Sequence, residues 1–239
     1  MVSMLSDKGA IRSLNEDSCK YYECEKFKIY VVADGMGGHN AGEVASKMAV
    51  DGIVNFIKDN VDIVSENKLL KEAINFVNTI IYNYSCEKQE LNGMGTTITS
   101  CLVINDMVYV ANVGDSSSFG IKGKEIKKIT KDHSLVQELV DLGTISEYEA
   151  INHPKKNIIT RAVGTSKSVD VDIFEVPKND YDLFLLCTDG LTNEVTNEQI
   201  ISVMLTSESF NEACSHLIEI AKQKGGRDNI TVLLFGGEN

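Results

Sequence analysis

The chain has 239 residues, 43% of them hydrophobic and 24% charged, which is enough to bury a large core as one domain over residues 1–239. A net charge of −12 argues against a polyanion partner such as nucleic acid, which is held mainly through a Lys/Arg surface. No stretch reaches the roughly 18 uninterrupted apolar residues of a membrane span, and the first residues lack an apolar core of signal-peptide type. A cytoplasmic protein with no membrane partner is expected.

The first clear strand is Phe27 to Asp34 (FKIYVVAD), followed by the glycine-rich GMGGHNAG and then a helix-periodic run from Glu43 to Ile57 that stops at Asp59-Asn60. A second helix is predicted from about Glu66 to Tyr84, where Leu70, Ala73, Ile74, Val77, Ile80, Ile81 and Tyr84 recur at core-packing spacing. Between Gly95 and Thr130 short β-rich runs are separated by Asn105-Asp106 and Lys122-Gly123, which reads as an antiparallel meander. His133 to Leu142 reads as a helix stopped by Gly143. Ser146 to Ile151 is a second, short helix with Ser146 and Glu149 at capping-box spacing. Asn152 to Ser168 holds few core candidates, so a surface flap over about 144–168 is expected. The strand YDLFLLCTDG, helices near Asn197 to Leu205 and Ser209 to Lys224, and a last strand NITVLLFG complete the order.

This succession lacks the regular βα alternation of a doubly wound sheet and points to an α+β fold: two antiparallel sheets packed as a sandwich with helices on the outside. Six cysteines form no C-x-x-C pair and read as buried free thiols. The acidic charge favours a monomer. Four aspartates stand out against this frame. Asp34, Asp115, Asp189 and Asp228 each sit beside an apolar run, and the ends of those runs would meet at one edge of the sandwich. Ionised carboxylates held together raise one another's pKa, so such a gathering is tolerable mainly around a divalent cation, and an oxygen-only donor set suits Mg²⁺ or Mn²⁺. Taken alone, each Asp-Gly is as readily a turn.

The ordered set GAIRSLNEDS, VVADGMGGHNAGE, GTT, VYVANVGDS, ITKDHS, HPKKNIITRAVG, LLCTDGL and GGRDNITVLL resembles, over nearly the whole chain, the metal-dependent protein serine/threonine phosphatases of the PPM or type 2C family, in their short bacterial form. The resemblance implies the αββα type 2C fold and hydrolysis of phosphoserine and phosphothreonine monoesters in proteins by a hydroxide bridging two Mn²⁺ or Mg²⁺ ions. It implies Asp34 as the bridging ligand, Gly35 as a backbone-carbonyl ligand and Asp189 and Asp228 as ligands of the second ion. Asp115 with Asp189 would form a third, weaker site, and Glu16 would order metal-bound water. By the same resemblance Arg12 binds phosphate, its planar fork matching two phosphoryl oxygens. His39 is the general acid for the departing alkoxide. Asn157 and Arg161 would position substrate or hold the flap, and His133 and His153 are read as structural. Ser117 departs from the pattern, because the family usually has arginine after Gly-Asp-Ser, so altered packing or metal affinity is expected there.

The implied partners are phosphoproteins and a cognate serine/threonine kinase. A catalytically silent binding module would be expected to lose metal aspartates that this chain keeps. A phosphatase of a sigma-factor pathway would be expected to carry a sensory domain.

Overall fold

The structure, a computed structural model, describes residues 1–38 and 41–236. Its strands are β1 (Val2–Asp7), β2 (Asp17–Glu23), β3 (Phe27–Met36), β4 (Gly95–Thr96), β5 (Ile98–Ile104), β6 (Met107–Val113), β7 (Ser117–Lys122), β8 (Glu125–Lys128), β9 (Asp172–Pro177), β10 (Leu183–Cys187) and β11 (Ile230–Gly236). The helices are α1 (Ala41–Asn60), α2 (Glu66–Glu87), α3 (Leu135–Asp141), α4 (Glu147–Ile151), α5 (Asp189–Thr192), α6 (Asn197–Thr206) and α7 (Phe210–Gln223). One sheet has the order β1-β11-β10-β7-β8. The other runs β2-β3-β5-β6-β9, with β4 paired to the end of β3, and every pairing is antiparallel. The expected sandwich with outer helices is what forms.

Period-two alternation explains the layers. On β3, Ile29, Val31 and Ala33 face outward and pack with the apolar stripes of α1 and α2, while Tyr30 and Val32 face the other sheet. On β10 and β11, Leu185, Cys187, Val232 and Leu234 face α6 and α7, while Phe184, Leu186, Leu233 and Phe235 face inward. The inner layer is locked by stacked rings: Phe235 lies 3.9 Å from Tyr30 and 5.0 Å from Phe184, both nearly coplanar.

The stretch from Gly95 to Thr130 is not one meander. β5 pairs with β6 and β7 with β8, but β6 and β7 belong to different sheets, and the chain crosses between them at Gly114-Asp115-Ser116. Local propensity sees four strands and cannot see which sheet each joins. Gly114 makes the crossing with φ 103°, a conformation that L side chains rarely adopt. The second hairpin turns at Gly123-Lys124, one residue later than expected, whereas Asn105-Asp106 turns where predicted, with Asn105 at φ 51°.

Three strands escaped the sequence reading. β1, β2 and β9 are edge strands of mixed polarity and carry no clean apolar run. α4 has its full capping box, and Gly143 ends the preceding segment at φ 69°. The segment after α4 is better anchored than its composition suggests. Val163 is fully buried and bridges Thr96, and Ser134 bridges Ile159. Ile80 is 41% exposed and lies outside the core stripe of α2. All six cysteines are free, but only Cys101, Cys187 and Cys214 are buried, and Cys86 is exposed. Among the described residues no helix is long and apolar enough to cross a membrane.

Because Phe235 fills the centre of the inner layer, Phe235→Ala should destabilise the protein by about 3–5 kcal/mol. A urea denaturation midpoint unchanged from wild type would contradict this placement.

Candidate active site

Toward one end of the sandwich the inward-facing positions turn polar. The parity that points Tyr30 and Val32 inward also points Asp34 inward; the parity of Phe184 and Leu186 carries on to Thr188, and that of Leu233 and Phe235 to Thr231. β2 contributes Asp17, which lies opposite Asp34 in the β2–β3 register. Asp17 is buried, its Oδ2 accepting from Thr188 Oγ1 at 2.8 Å and Thr231 Oγ1 at 2.7 Å, while Oδ1 has no partner among the described residues.

A cavity of about 270 Å³ opens beside this end, and Arg12, Glu16, Asp34, Gly35, Asp115, Asp189 and Asp228 all line it. The structure thus brings together every site residue expected from the sequence except His39, which lies outside the described residues. The backbone of Asp34 is held tightly. Its N–H donates to Thr97 Oγ1 at 2.9 Å, and its carbonyl accepts from Thr97 N at 2.8 Å and Thr96 Oγ1 at 2.9 Å. Gly35 has no room for a side chain, since a Cβ would lie 2.1 Å from the Gly42 carbonyl oxygen. A methyl at Gly42 would in turn lie 2.6 Å from Glu16 Oε1 and 2.7 Å from the Gly35 carbonyl oxygen, so those two oxygens face one spot kept clear by glycine.

Asp189 opens α5 directly after β10. Its Oδ2 accepts from Asn193 Nδ2 at 2.9 Å, and Oδ1 is buried with no partner among the described residues. Arg12 Nη2 is 2.9 Å from Asp228 Oδ2, so the guanidinium here neutralises a carboxylate. The loop carrying Arg12 and Glu16 is tied down by Asn229, which is buried. Its Oδ1 accepts from Glu16 N at 2.8 Å, and its Nδ2 donates to the carbonyls of Lys8 at 3.0 Å and Leu14 at 2.8 Å.

Burial dominates the electrostatics. It pushes the Asp17 carboxyl up to about 7, with help from Asp189 and Asp228 and against the two threonine bonds. It raises Asp34 well above the usual carboxylate range, reinforced by Asp17, Asp189, Asp115 and Asp228. Asp115 is pushed up to about 7 by burial and by Asp189 and Asp132, with Lys128 opposing. Asp189 is pushed up to about 6 by burial and Asp228, against Asn193, Arg12 and Lys156. Among the described residues no three His, Cys, Asp or Glu side chains close around a point as a cage. The carboxylates instead ring a space, with the buried Asp189 Oδ1 on its wall left unpartnered, which fits a small hard cation that keeps several waters and takes one or two carboxylates.

Ser117 is buried at the start of β7, and the cation near Asp115 is Lys128, whose Nζ lies 2.6 and 2.7 Å from the Asp132 carboxylate oxygens. Arg161 does not line the cavity. It donates to Asp172 Oδ1 at 2.8 Å, and His133 Nε2 lies 3.2 Å from Asp172 Oδ2. Burial acts to raise Asp172, but His133 and Arg161 outweigh it and hold its carboxyl below the usual range. His133 Nδ1 accepts from Gly114 N at 3.1 Å, which assigns the ring proton to Nε2, facing Asp172. Arg161 and His133 therefore hold the flap to the crossing that carries Asp115, whereas Asn157 lines the cavity itself.

Sequence reasoning missed Asp17, Asn229 and Thr97 as builders of the site. Asp17 and Asn229 stand beside Glu16 and Asp228 in the motifs already singled out, and adjacency to a ligand candidate was the available signal.

Two outcomes follow. Carboxyls with raised folded pKa values keep protons that the unfolded chain has released near its ordinary value of 3.8. Their contribution to stability is therefore full below that value and is lost as pH rises through about 7. Protein freed of divalent ions should accordingly melt at a lower temperature at about pH 7.5 than at about pH 5, and a higher melting temperature at the upper pH would contradict it. Asn229→Leu, which strands three backbone groups, should cost about 1–3 kcal/mol in denaturant unfolding and speed amide exchange in residues 8–16.

Comparison with known proteins shows the family. Residues 10–234 match the protein phosphatase 2C family. The serine/threonine phosphatase stp of Listeria welshimeri serovar 6b is 41% identical over 233 residues, covering 96% of this chain and 92% of its own length. The protein phosphatase PhpP of Streptococcus pneumoniae serotype 2 is 34% identical over 236 residues, covering 98% and 96%. The crystal structure of the serine/threonine phosphatase Stp1 from Staphylococcus aureus matches with a TM-score of 0.92 at 36% identity, covering 100% of this chain and 95% of that one. With fold and sequence in agreement, the chain belongs to the protein phosphatase 2C family of serine/threonine protein phosphatases.

Proposed function

We propose that the cavity hydrolyses phosphoserine and phosphothreonine monoesters of proteins with the help of Mn²⁺ or Mg²⁺, two ions per site and a third more weakly held, within a single catalytic domain. The observation that carries this reading is the convergence of Arg12 with five acidic side chains, Glu16, Asp34, Asp115, Asp189 and Asp228, on one cavity. Asp34, the Gly35 carbonyl, Asp189 and Asp228 would hold the two ions, and Asp115 with Asp189 the third. Bound there, the ions would supply Lewis acidity, lowering the pKa of water and drawing charge off the phosphoryl oxygens.

The chain's own groups do the rest. Arg12 exchanges Asp228 for the incoming phosphoryl group, presenting a planar fork that carries its charge at every working pH. Half of its side chain is exposed, so the exchange needs no movement of the core. Glu16, fixed through its backbone by Asn229, orients water on the Gly35 side of the cavity. His39 is assigned the proton that the departing serine or threonine oxygen needs. Thr96 and Thr97 hold the Asp34 backbone in register while its carboxylate changes charge partners. The same proposal makes the enzyme a cytoplasmic monomer that opposes a serine/threonine kinase.

Phosphate release from a phosphothreonine peptide by EDTA-stripped protein should depend on added Mn²⁺. Asp34→Asn should lower it by more than about 100-fold, the upper range for residues that only support a metal ligand. Folded, metal-supplemented wild type without turnover would sink the reading.

A further inference from the structure

The segments that carry Asp34 and Asp115 meet through one side chain, that of Thr97. Val32–Thr99 and Gly35–Thr96 are cross-strand pairs with the same offset, so Asp34 stands opposite Thr97. A regular antiparallel ladder at such a position has each residue's N–H donate to the other's carbonyl. Only half of that exchange is made. Thr97 N donates to the Asp34 carbonyl at 2.8 Å, but Asp34 N donates to Thr97 Oγ1 at 2.9 Å, and the Thr97 carbonyl accepts from Thr96 Oγ1 at 3.0 Å instead. The threonine hydroxyl has taken the place of its own carbonyl.

A hydroxyl offers what a ladder carbonyl does not, a further bond in another direction with a proton to give as well as lone pairs to receive. That bond runs to Ser116 Oγ at 2.8 Å, and both side chains are buried. The methyl of the same threonine covers Gly114, where a Cβ would lie 2.5 Å from Thr97 Cγ2. Thr97 thus touches the residues on both sides of Asp115 while it holds the backbone of Asp34. Strand pairing does not make this connection, because the β5–β6 ladder stops at Ile98–Val113, two residues before Asp115, and the chain then leaves for the other sheet. Side chains that share a metal site must be held within about 0.5 Å of the working arrangement. We propose that the Thr97–Ser116 hydroxyl pair is a positioning link that fixes Asp34 and Asp115 relative to each other, so that the sites built on the two carboxylates form one unit. This inference rests on the metal-dependent reading above and adds to it the residues that couple its sites.

The test is Mn²⁺ uptake by full-length, EDTA-stripped protein, followed through the EPR signal of the free aquo ion, which reads binding without reference to turnover. Ser116→Ala removes a hydroxyl that bonds Thr97 and not Asp34, and should nonetheless weaken the tight class of Mn²⁺ sites by about tenfold, the lower range for losing a partner of a metal ligand. Thr97→Val keeps the methyl cover and loses the hydroxyl, and should weaken that class by about 10–100-fold, whereas Thr97→Ser keeps the hydroxyl and should stay within about threefold of wild type. In Thr97→Val the further change Ser116→Ala should add less than about twofold, because the bond between them is already gone. Ser116→Ala with the tight-class affinity of wild type, or Thr97→Ser as weak as Thr97→Val, overturns the link and leaves the metal-dependent phosphatase reading intact. Should Thr97→Val show no cooperative urea transition, Ser116→Ala decides alone. Folded wild type that takes up no Mn²⁺ overturns the metal-dependent reading and the link with it.

Discussion

Burying several carboxylates at one end of a β-sandwich is the constraint on which the rest of this molecule turns. Asp17 and Asp34 face each other across a strand pair, and Asp115 and Asp189 raise the charge density further. In water such groups would separate. Here they are carried by strands that cannot part, because the same two inner faces are clamped by the Tyr30–Phe235–Phe184 stack and its aliphatic surround. Each strand thus has an apolar end that binds the sheets and a polar end that they force together, and burial there favours the protonated form of each carboxyl until another charge intervenes. The side chains that answer this pressure include Arg12 against Asp228, Asn193 against Asp189, and the hydroxyls of Thr188 and Thr231 against Asp17.

How much of this was legible follows from what each signal depends on. Asp34, Asp115, Asp189 and Asp228 were visible because each adjoins a strong apolar run, and strand termini are where alternation hands over from core to site. Asp17 was not, because β2 reads DSCKYYE, an edge strand whose apolar and polar positions do not separate cleanly. Asn229 was hidden for a different reason. Its role lies in three bonds to residues more than 200 positions away, and no local pattern encodes that. The crossing at Gly114 was read as part of a meander, since turn chemistry fixes where a strand ends and not which sheet the next one joins.

Ser117 leaves Asp115 without a cation beside it in the sequence. The family-like motif leads one to expect a cation immediately after the Gly-Asp-Ser turn, and this chain places a small buried hydroxyl there. A cation is nevertheless present in that region, supplied from the end of β8 by Lys128 and steadied by Asp132 four residues on. In the β7–β8 hairpin Lys128 lies opposite Phe119, two residues after Ser117. Lys128 opposes the rise at Asp115, but its partner Asp132 adds to that rise more strongly, so the pair does not offset the cation missing at 117.

The flap gains its meaning from the same economy of contacts. Its composition predicts a weakly held surface segment, yet Val163 enters the core beside α2, and Arg161 shares Asp172 with His133. The other ring nitrogen of His133 takes the N–H of Gly114, one residue before Asp115. The side chains that hold the flap down therefore also hold the crossing that delivers a carboxylate to the site. A flap built in this way cannot lift at Arg161 without disturbing the partner that shares Asp172 with it.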